Sequence, residues 1–273
     1  PLPNTFSAKQ AQFAPLLARG FLTNFAAMLT PLLAGGQIAL SVGALYGAGW
    51  LWRRREPIQR ALVLLPLVWS LALIVLYAVR LPANYQHGRY VIPALPTFIV
   101  VGVGGTVLLS QTFTARRRAT STRLAARSLV MLCLVLFPLF ALIGAGVFAE
   151  DVQLINSEMV AAALWLRANV PPEELLAVHD IGAVGFFANR PILDVAGLVT
   201  PEIVPLFYQP EALYALMRER EVRWLMLMPD QWAWLWQDRA ETFGRYFCRV
   251  YDTGGRMGGT HIYRFEPSGN CPV

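Results

Sequence analysis

Arg89 and its neighbours carry the most specific chemistry in this 273-residue chain. Arg89 lies in the segment Asn84-Tyr-Gln-His-Gly-Arg-Tyr-Val-Ile-Pro-Ala-Leu-Pro96, directly ahead of a long apolar run. Its guanidinium is a permanent cation with a planar fork of donors, a geometry that suits phosphate. Tyr90 and His87 place hydrogen-bonding groups beside it, and Arg80 closes the preceding apolar run at a similar depth. Arg89, Arg80, His87 and Tyr90 are therefore candidates for holding the phosphate of a lipid-linked molecule. The plain alternative is that both arginines snorkel to lipid headgroups and orient their helices.

A second candidate group is His179, Asp180 and Asp194. Leu175–His179 is an apolar run suited to a buried strand, and Asp180 opens a small-residue helix ending near Ala188. The plain role of Asp180 is to cap that helix, with Gly182 and Gly185 allowing close packing on a sheet. Asp194 ends another short strand, Pro191–Val195, ahead of a turn at Gly197. The three residues would cluster if both strands belong to one sheet, since ligands bind at such strand ends. Purely structural roles are the competing reading. The segment has no G-x-G-x-x-G and no phosphate loop, which argues against nucleotide binding.

Other chemistry is sparse. His87, His179 and His261 are the only histidines and none has a partner at i, i+4, so neither a metal site nor a cofactor is expected. No G-x-S-x-G and no Cys–His arrangement suits nucleophilic catalysis. Trp232, Trp234 and Trp236 alternate along a predicted helix and point to different faces, so they form no flat sugar platform; core packing or contact with a membrane surface fits them better. Cys133 sits inside an apolar run as a small packing residue. Cys248 and Cys271 are either bridged or two unrelated thiols.

The elements that must position these residues follow from charge. Residues 1–149 hold thirteen basic residues and one acidic, Glu56 (net +12); residues 150–273 hold ten basic and sixteen acidic (net −6). The basic excess lies beside hydrophobic runs, so nucleic acid is not the expected partner. Four runs carry no charge: Gly20–Trp52, Ala61–Val79, Val91–Ala115 and Ser128–Ala149. Each is long enough to cross a bilayer as a helix. The expected spans are 32–52, 61–79, 91–113 and 128–149, with Phe13–Thr30 as an interfacial or re-entrant helix broken from the first span near Pro31 and Gly35-Gly36. Arg53, Arg54, Arg55 and Arg60 follow the first span, and Arg116, Arg117, Arg118, Arg123 and Arg127 follow the third. The loop between the second and third spans has only Arg80 and Arg89. Nine against two places the Arg-rich loops in the cytoplasm and everything after Glu150 outside it.

The expected fold is thus an α-helical transmembrane bundle over 1–149 followed by a small extracytoplasmic α/β domain over 150–273. In that domain, apolar runs suited to strands at Leu175–His179, Pro191–Val195 and Arg223–Met228 alternate with helices at 156–169, Pro210–Glu221 and Gln231–Phe243. A hairpin, Tyr246–Asp252 with His261–Phe265, closes the chain. The chain begins Pro-Leu-Pro without a signal pattern and reads as the C-terminal piece of a longer protein.

Two patterns carry a family resemblance: H-G-R-Y-x-x-P-x-x-P from His87, and W-L-R-x-N-x-P from Trp165 followed by D-I-G-A-V-G-F-F-x-N-R-x-I-L-D-x-x-G-L-V from Asp180. Over roughly residues 14–200 the chain resembles the C-terminal part of bacterial GT-C membrane glycosyltransferases. These are relatives of protein O-mannosyltransferases and aminoarabinose transferases. The resemblance implies transfer of a sugar from a polyprenyl-phosphate donor to an acceptor in the cell envelope, be it glycan, lipid or protein. It assigns Arg89 to the donor phosphate, with Arg80, His87 and Tyr90 as companions. The family's general-base carboxylate belongs to an earlier outer loop, so no catalytic residue is expected here. A membrane-anchored binding or assembly module without catalysis is the alternative.

Overall fold

The computed structural model describes residues 4–53, 56–114, 119–255, 258–269 and 271. Arg54, Arg55, Arg116, Arg117 and Arg118, on which the orientation partly rests, lie outside the described residues. The chain is mostly helical with one small sheet. It divides into two compact units, one of Phe13–Val147 and one of Phe148–Val273 together with Pro1–Gln12.

The first helix, α1 (Asn4–Gln12), belongs to the second unit; the first unit holds α2 (Ala14–Leu17), α3 (Phe21–Leu33), α4 (Leu40–Trp52), α5 (Pro57–Arg80), α6 (Tyr85–Gly88), α7 (Leu95–Thr114) and most of α8 (Thr120–Leu154). Two helical segments are long and apolar enough to cross a membrane: Tyr85–Thr114, of 30 residues, and Thr120–Asn169, of 50. The single helix expected over Leu32–Trp52 is instead part of a pair, Phe21–Leu33 and Gln37–Trp52, bent by 97°. Gly35 and Gly36 form the corner at φ of 63° and 82°, a conformation that a side chain disfavours. The expected Phe13–Thr30 helix also divides, at Gly20 (φ 84°). The helix α5 contains the whole of the span expected at 61–79. The spans expected at 61–79, 91–113 and 128–149 thus fall on α5, α7 and α8, and the first is the arm of a bent pair.

Two contacts organise this unit. Met28, Leu32, Ile74, Ala78, Val91 and Ala94 pack α3 and α5 against the stretch that joins Arg89 to α7. α4 and α7 meet at backbone distance: a Cβ on Gly43 or Gly105 would collide with the opposite main chain, and one on Gly47 would press on Gly105. Small residues four apart permit such an approach between apolar helices.

The α/β unit begins inside α8. A separate helix was expected after Ala149, but no Pro or Gly interrupts 148–169. The helix runs on through a π-helical turn, Ile155–Val160, into α9 (Ala161–Asn169). There follow β1 (Leu176–Val178), α10 (Ile181–Phe187), β2 (Ile192–Asp194), a 3₁₀ turn at Pro201–Leu206, α11 (Pro210–Glu219) and β3 (Trp224–Leu227). The chain continues through α12 (Pro229–Trp236), α13 (Ala240–Gly244), β4 (Phe247–Asp252) and β5 (His261–Phe265). The expected helix over Gln231–Phe243 splits at Gln237, whose φ is 50°.

The strand order is β2-β1-β3-β5-β4. β1 runs parallel to β2 and β3, while β5 is antiparallel to β3 and β4. Successive residues point to opposite faces of a sheet. Leu176, Val178, Trp224 and Met226 pack against α9 and α10 on one face. Ala177, Leu225 and Leu227 pack against α11, α12 and α13 on the other. Burial on both faces explains why these strands read as continuous apolar runs. Cys248 and Cys271 are bridged, with Cα atoms 5.0 Å apart, which resolves the alternative left open by the sequence.

Candidate functional site

In the helical unit, Gln86, His87 and Gly88 have φ of 51°, 58° and 67°. Three consecutive left-handed residues turn the chain back on itself between Tyr85 and Tyr90. Gly88 is required twice over, because a Cβ there would also strike the Pro31 ring. The turn gathers an arginine and two phenols. Arg89 Nη2 donates to Tyr85 Oη at 2.7 Å and to Tyr90 Oη at 3.1 Å. The two hydroxyls lie 3.3 Å apart, and the guanidinium sits 4.9 Å and 5.0 Å from the two ring centroids. Tyr77 stacks on Tyr90 and Phe13 on Tyr85. The guanidinium is thus held by hydrogen bonds and ring faces, while its residue stays exposed.

Arg89 and Tyr90 are brought together as the sequence suggests. Arg80 is exposed at the end of α5, and among the described residues no hydrogen bond joins it to this cluster. His87 is exposed and contributes its backbone turn. Tyr85 was not among the expected residues. Tyr85 is four residues before Arg89 and five before Tyr90; a regular helix would bring the first pair together but not the second, and the left-handed turn gathers all three.

In the α/β unit, β1 leads through α10 to β2 on one side, and β3 leads through α12 to the other edge. The loops after β1 and β3 diverge, and the crevice between them is where open sheets of this kind bind ligands. His179 and Asp180 leave β1; Asp230 and Gln231 leave β3. Asp180 stands at the cap position of α10 but makes no side-chain cap bond. Its Oδ2 instead accepts from Gln231 Nε2 at 3.3 Å, across the crevice. Gly182 has open space where a Cβ would stand, so it makes no close approach to the sheet.

Asp194 is fully buried. Its carboxylate accepts backbone N–H bonds from Ala196 at 2.9 Å and Val199 at 2.8 Å, which fixes the loop after β2. That is a structural role. His179 packs edge-on to Trp234, with centroids 5.3 Å apart. Burial pushes the His179 imidazole below its usual value; Asp180 opposes this, Lys9 adds to it, and Asp194 and Asp230 oppose it. The ring is therefore neutral at pH 7. The three Trp residues separate as expected: Trp236 is buried in the core, Trp232 stacks on Tyr263, and Trp234 faces His179, Phe207 and Tyr208.

No group of three or more His, Cys, Asp or Glu side chains among the described residues is placed to hold a metal ion. No curated protein and no solved structure matches the chain. Residues 149–263, which run from the end of the last apolar run to β5, match the family model described as a domain of unknown function (DUF8728).

Proposed function

We propose that this chain is part of a membrane glycosyltransferase of the GT-C type, using a polyprenyl-phosphate sugar as donor, and that Arg89 holds the donor phosphate. The observation that carries the reading is the Arg89–Tyr85–Tyr90 cluster on its left-handed turn. Backbone held in a sparsely populated region concentrates at ligand sites, and here it aims a pre-ordered guanidinium from the start of a 30-residue apolar segment. Arg presents two parallel N–H donors to a phosphate where Lys presents a point charge. The helical unit also contains an apolar cavity of about 360 Å³, lined by Leu40, Val103, Val107, Cys133, Leu134 and Phe137, with room for part of a lipid chain.

The finer topology belongs to the same proposal. The apolar helices lie in the membrane, the Arg-rich loops face the cytoplasm, and the α/β unit lies outside. The chain contributes the donor-phosphate contact and the general base comes from elsewhere. The second reading, a membrane-anchored binding module, is favoured by one observation: Glu56 is the sole acidic residue of 1–149, and it stands in an Arg-rich loop assigned to the cytoplasm, away from the proposed donor side.

The test is sugar transfer from radiolabelled polyprenyl-phosphate sugars in membranes carrying the full-length protein. Arg89→Ala should abolish transfer, and Arg89→Lys should leave only a small fraction, because the charge stays but the fork is lost. Equal donor affinity in Arg89→Ala and the parent sinks the assignment.

A further inference from the structure

The crevice between β1 and β3 contains polar groups that the fold leaves unsatisfied. Lys9 Nζ can only donate, and it contacts Gln12 Oε1 at 2.8 Å. This fixes the orientation of the Gln12 amide. Gln12 Nε2, a donor, then faces His179 Nε2 at 3.4 Å. In the neutral ring Nε2 is the acceptor and the proton sits on Nδ1. His179 Nδ1 is buried without a hydrogen-bond partner among the described residues, and so is Nε1 of the adjoining Trp234. Two neighbouring rings thus carry two buried N–H donors with nothing to receive them, a condition that native structures avoid unless a ligand or water completes the bonds.

The surroundings specify the kind of ligand. Carboxylates outnumber cations around His179: Asp180, Asp194 and Asp230 against Lys9. An anion is disfavoured. Asp180 and Asp230 offer acceptors and Gln231 an amide, while Trp234 and the half-exposed Tyr208 offer ring faces. Hydroxyls that both donate and accept, on a ring with an apolar face, match this set.

The crevice is covered in this structure. A void of about 10 Å³ lies on the core side of Trp234, Tyr208 and Phe207, room for one water at most. The cover is α1. Asn4 donates to the Gly197 and Leu198 carbonyls at 2.8 Å and 2.9 Å, Tyr208 Oη donates to the Gln12 carbonyl at 2.9 Å, and Gln12 caps His179. Only Ala8 of α1 is buried. A helix held largely by polar contacts, with Ala8 alone buried and Phe6 partly so, is among the first elements to open.

We propose that this crevice is a binding site for a neutral saccharide, with His179 and Trp234 as its donors and α1 as its lid. Its role as the acceptor site rests on the glycosyltransferase reading; its binding of saccharide does not. The experiment is a tryptophan-fluorescence titration of the full chain in detergent with mannotriose, maltotriose and trigalacturonate. The neutral trisaccharides should bind saturably and the anionic one more weakly. His179→Phe and Trp234→Phe, which keep the rings, should each weaken binding about tenfold, the size of one lost hydrogen bond. Gln12→Ala removes a side-chain contact that holds the α1 lid on His179 and should tighten binding severalfold, a gain that damaged folding does not produce. No saturable binding of either neutral trisaccharide, or no change in any of the three variants, overturns the proposal. Saccharide binding that survives while polyprenyl-phosphate transfer is absent refutes the enzyme reading and leaves this site standing.

Discussion

His87 is the residue at which the donor-site geometry can be separated from donor-site chemistry. A non-glycine residue in the left-handed region carries a strain of roughly 1–2 kcal/mol, and His87 shares its turn with Gln86. His87→Gly should therefore preserve donor binding and raise stability by up to about 1 kcal/mol. His87→Val places a β-branched side chain in the same region and should weaken both. Thermal unfolding and donor titration check this; loss of donor binding in His87→Gly would instead make the imidazole a ligand. His179 predicts a pH response. Its folded value lies below the usual 6.5, so below pH 6.5 the unfolded chain takes up a proton that the folded chain resists. Stability from this group is complete above pH 6.5 and falls as pH drops below it. The unfolding midpoint of the parent should drop between pH 7.5 and 5.5 by more than that of His179→Gln, with Asp180, Asp194, Asp230 and Lys9 unchanged in both. Parallel pH curves for parent and variant would contradict the burial argument. Arg89, Tyr90, His179 and Asp180 were legible as residue types beside apolar runs. Gln12 was not, because it becomes a partner only through a docked helix far from any sequence signal, whereas Tyr85 carries the signal of its spacing, four residues before Arg89.

At the scale of elements, strands and helices of the α/β unit were legible because each is a short apolar run between turn residues. Breaks and continuities of the long helices were harder. The corner at Gly35-Gly36 has a glycine signal; the unbroken helix from Thr120 to Asn169 has only the absence of one. The crossing of α4 and α7 was readable in retrospect from Gly43-x-x-x-Gly47 opposite Gly102, Gly105 and Thr106. It yields a sharp prediction because adjacent glycines differ. A Cβ on Gly105 would meet the Gly43 carbonyl, whereas one on Gly104 meets nothing. Gly105→Ala should destabilise the helical unit by about 1–3 kcal/mol, the usual cost of overpacking, while Gly104→Ala should be neutral or slightly stabilising through better helix propensity. Equal effects of the two in detergent unfolding would show that the helices do not pack on this face.

For the whole molecule, charge asymmetry, the helical half and the disulfide converge on one topology. The Arg-rich loops favour the cytoplasm, and a disulfide persists in an oxidising compartment. Both support the proposal that the α/β unit lies outside, on independent grounds. The bridge joins Cys248 to Cys271 across a sequence separation of 23, and by loop-closure entropy it stabilises the domain by roughly 3 kcal/mol. The three cysteines make the topology directly measurable, because Cys133 is buried in the helical unit as the free thiol. A membrane-impermeant maleimide applied to intact cells should label nothing before reduction. After an impermeant reductant it should label Cys248 and Cys271 and still spare Cys133. Labelling of Cys248 or Cys271 without reduction would mean the bridge is not formed in the cell. Labelling only after the membrane is opened would place the α/β unit in the cytoplasm, and the saccharide acceptor would then have to be sought on that side.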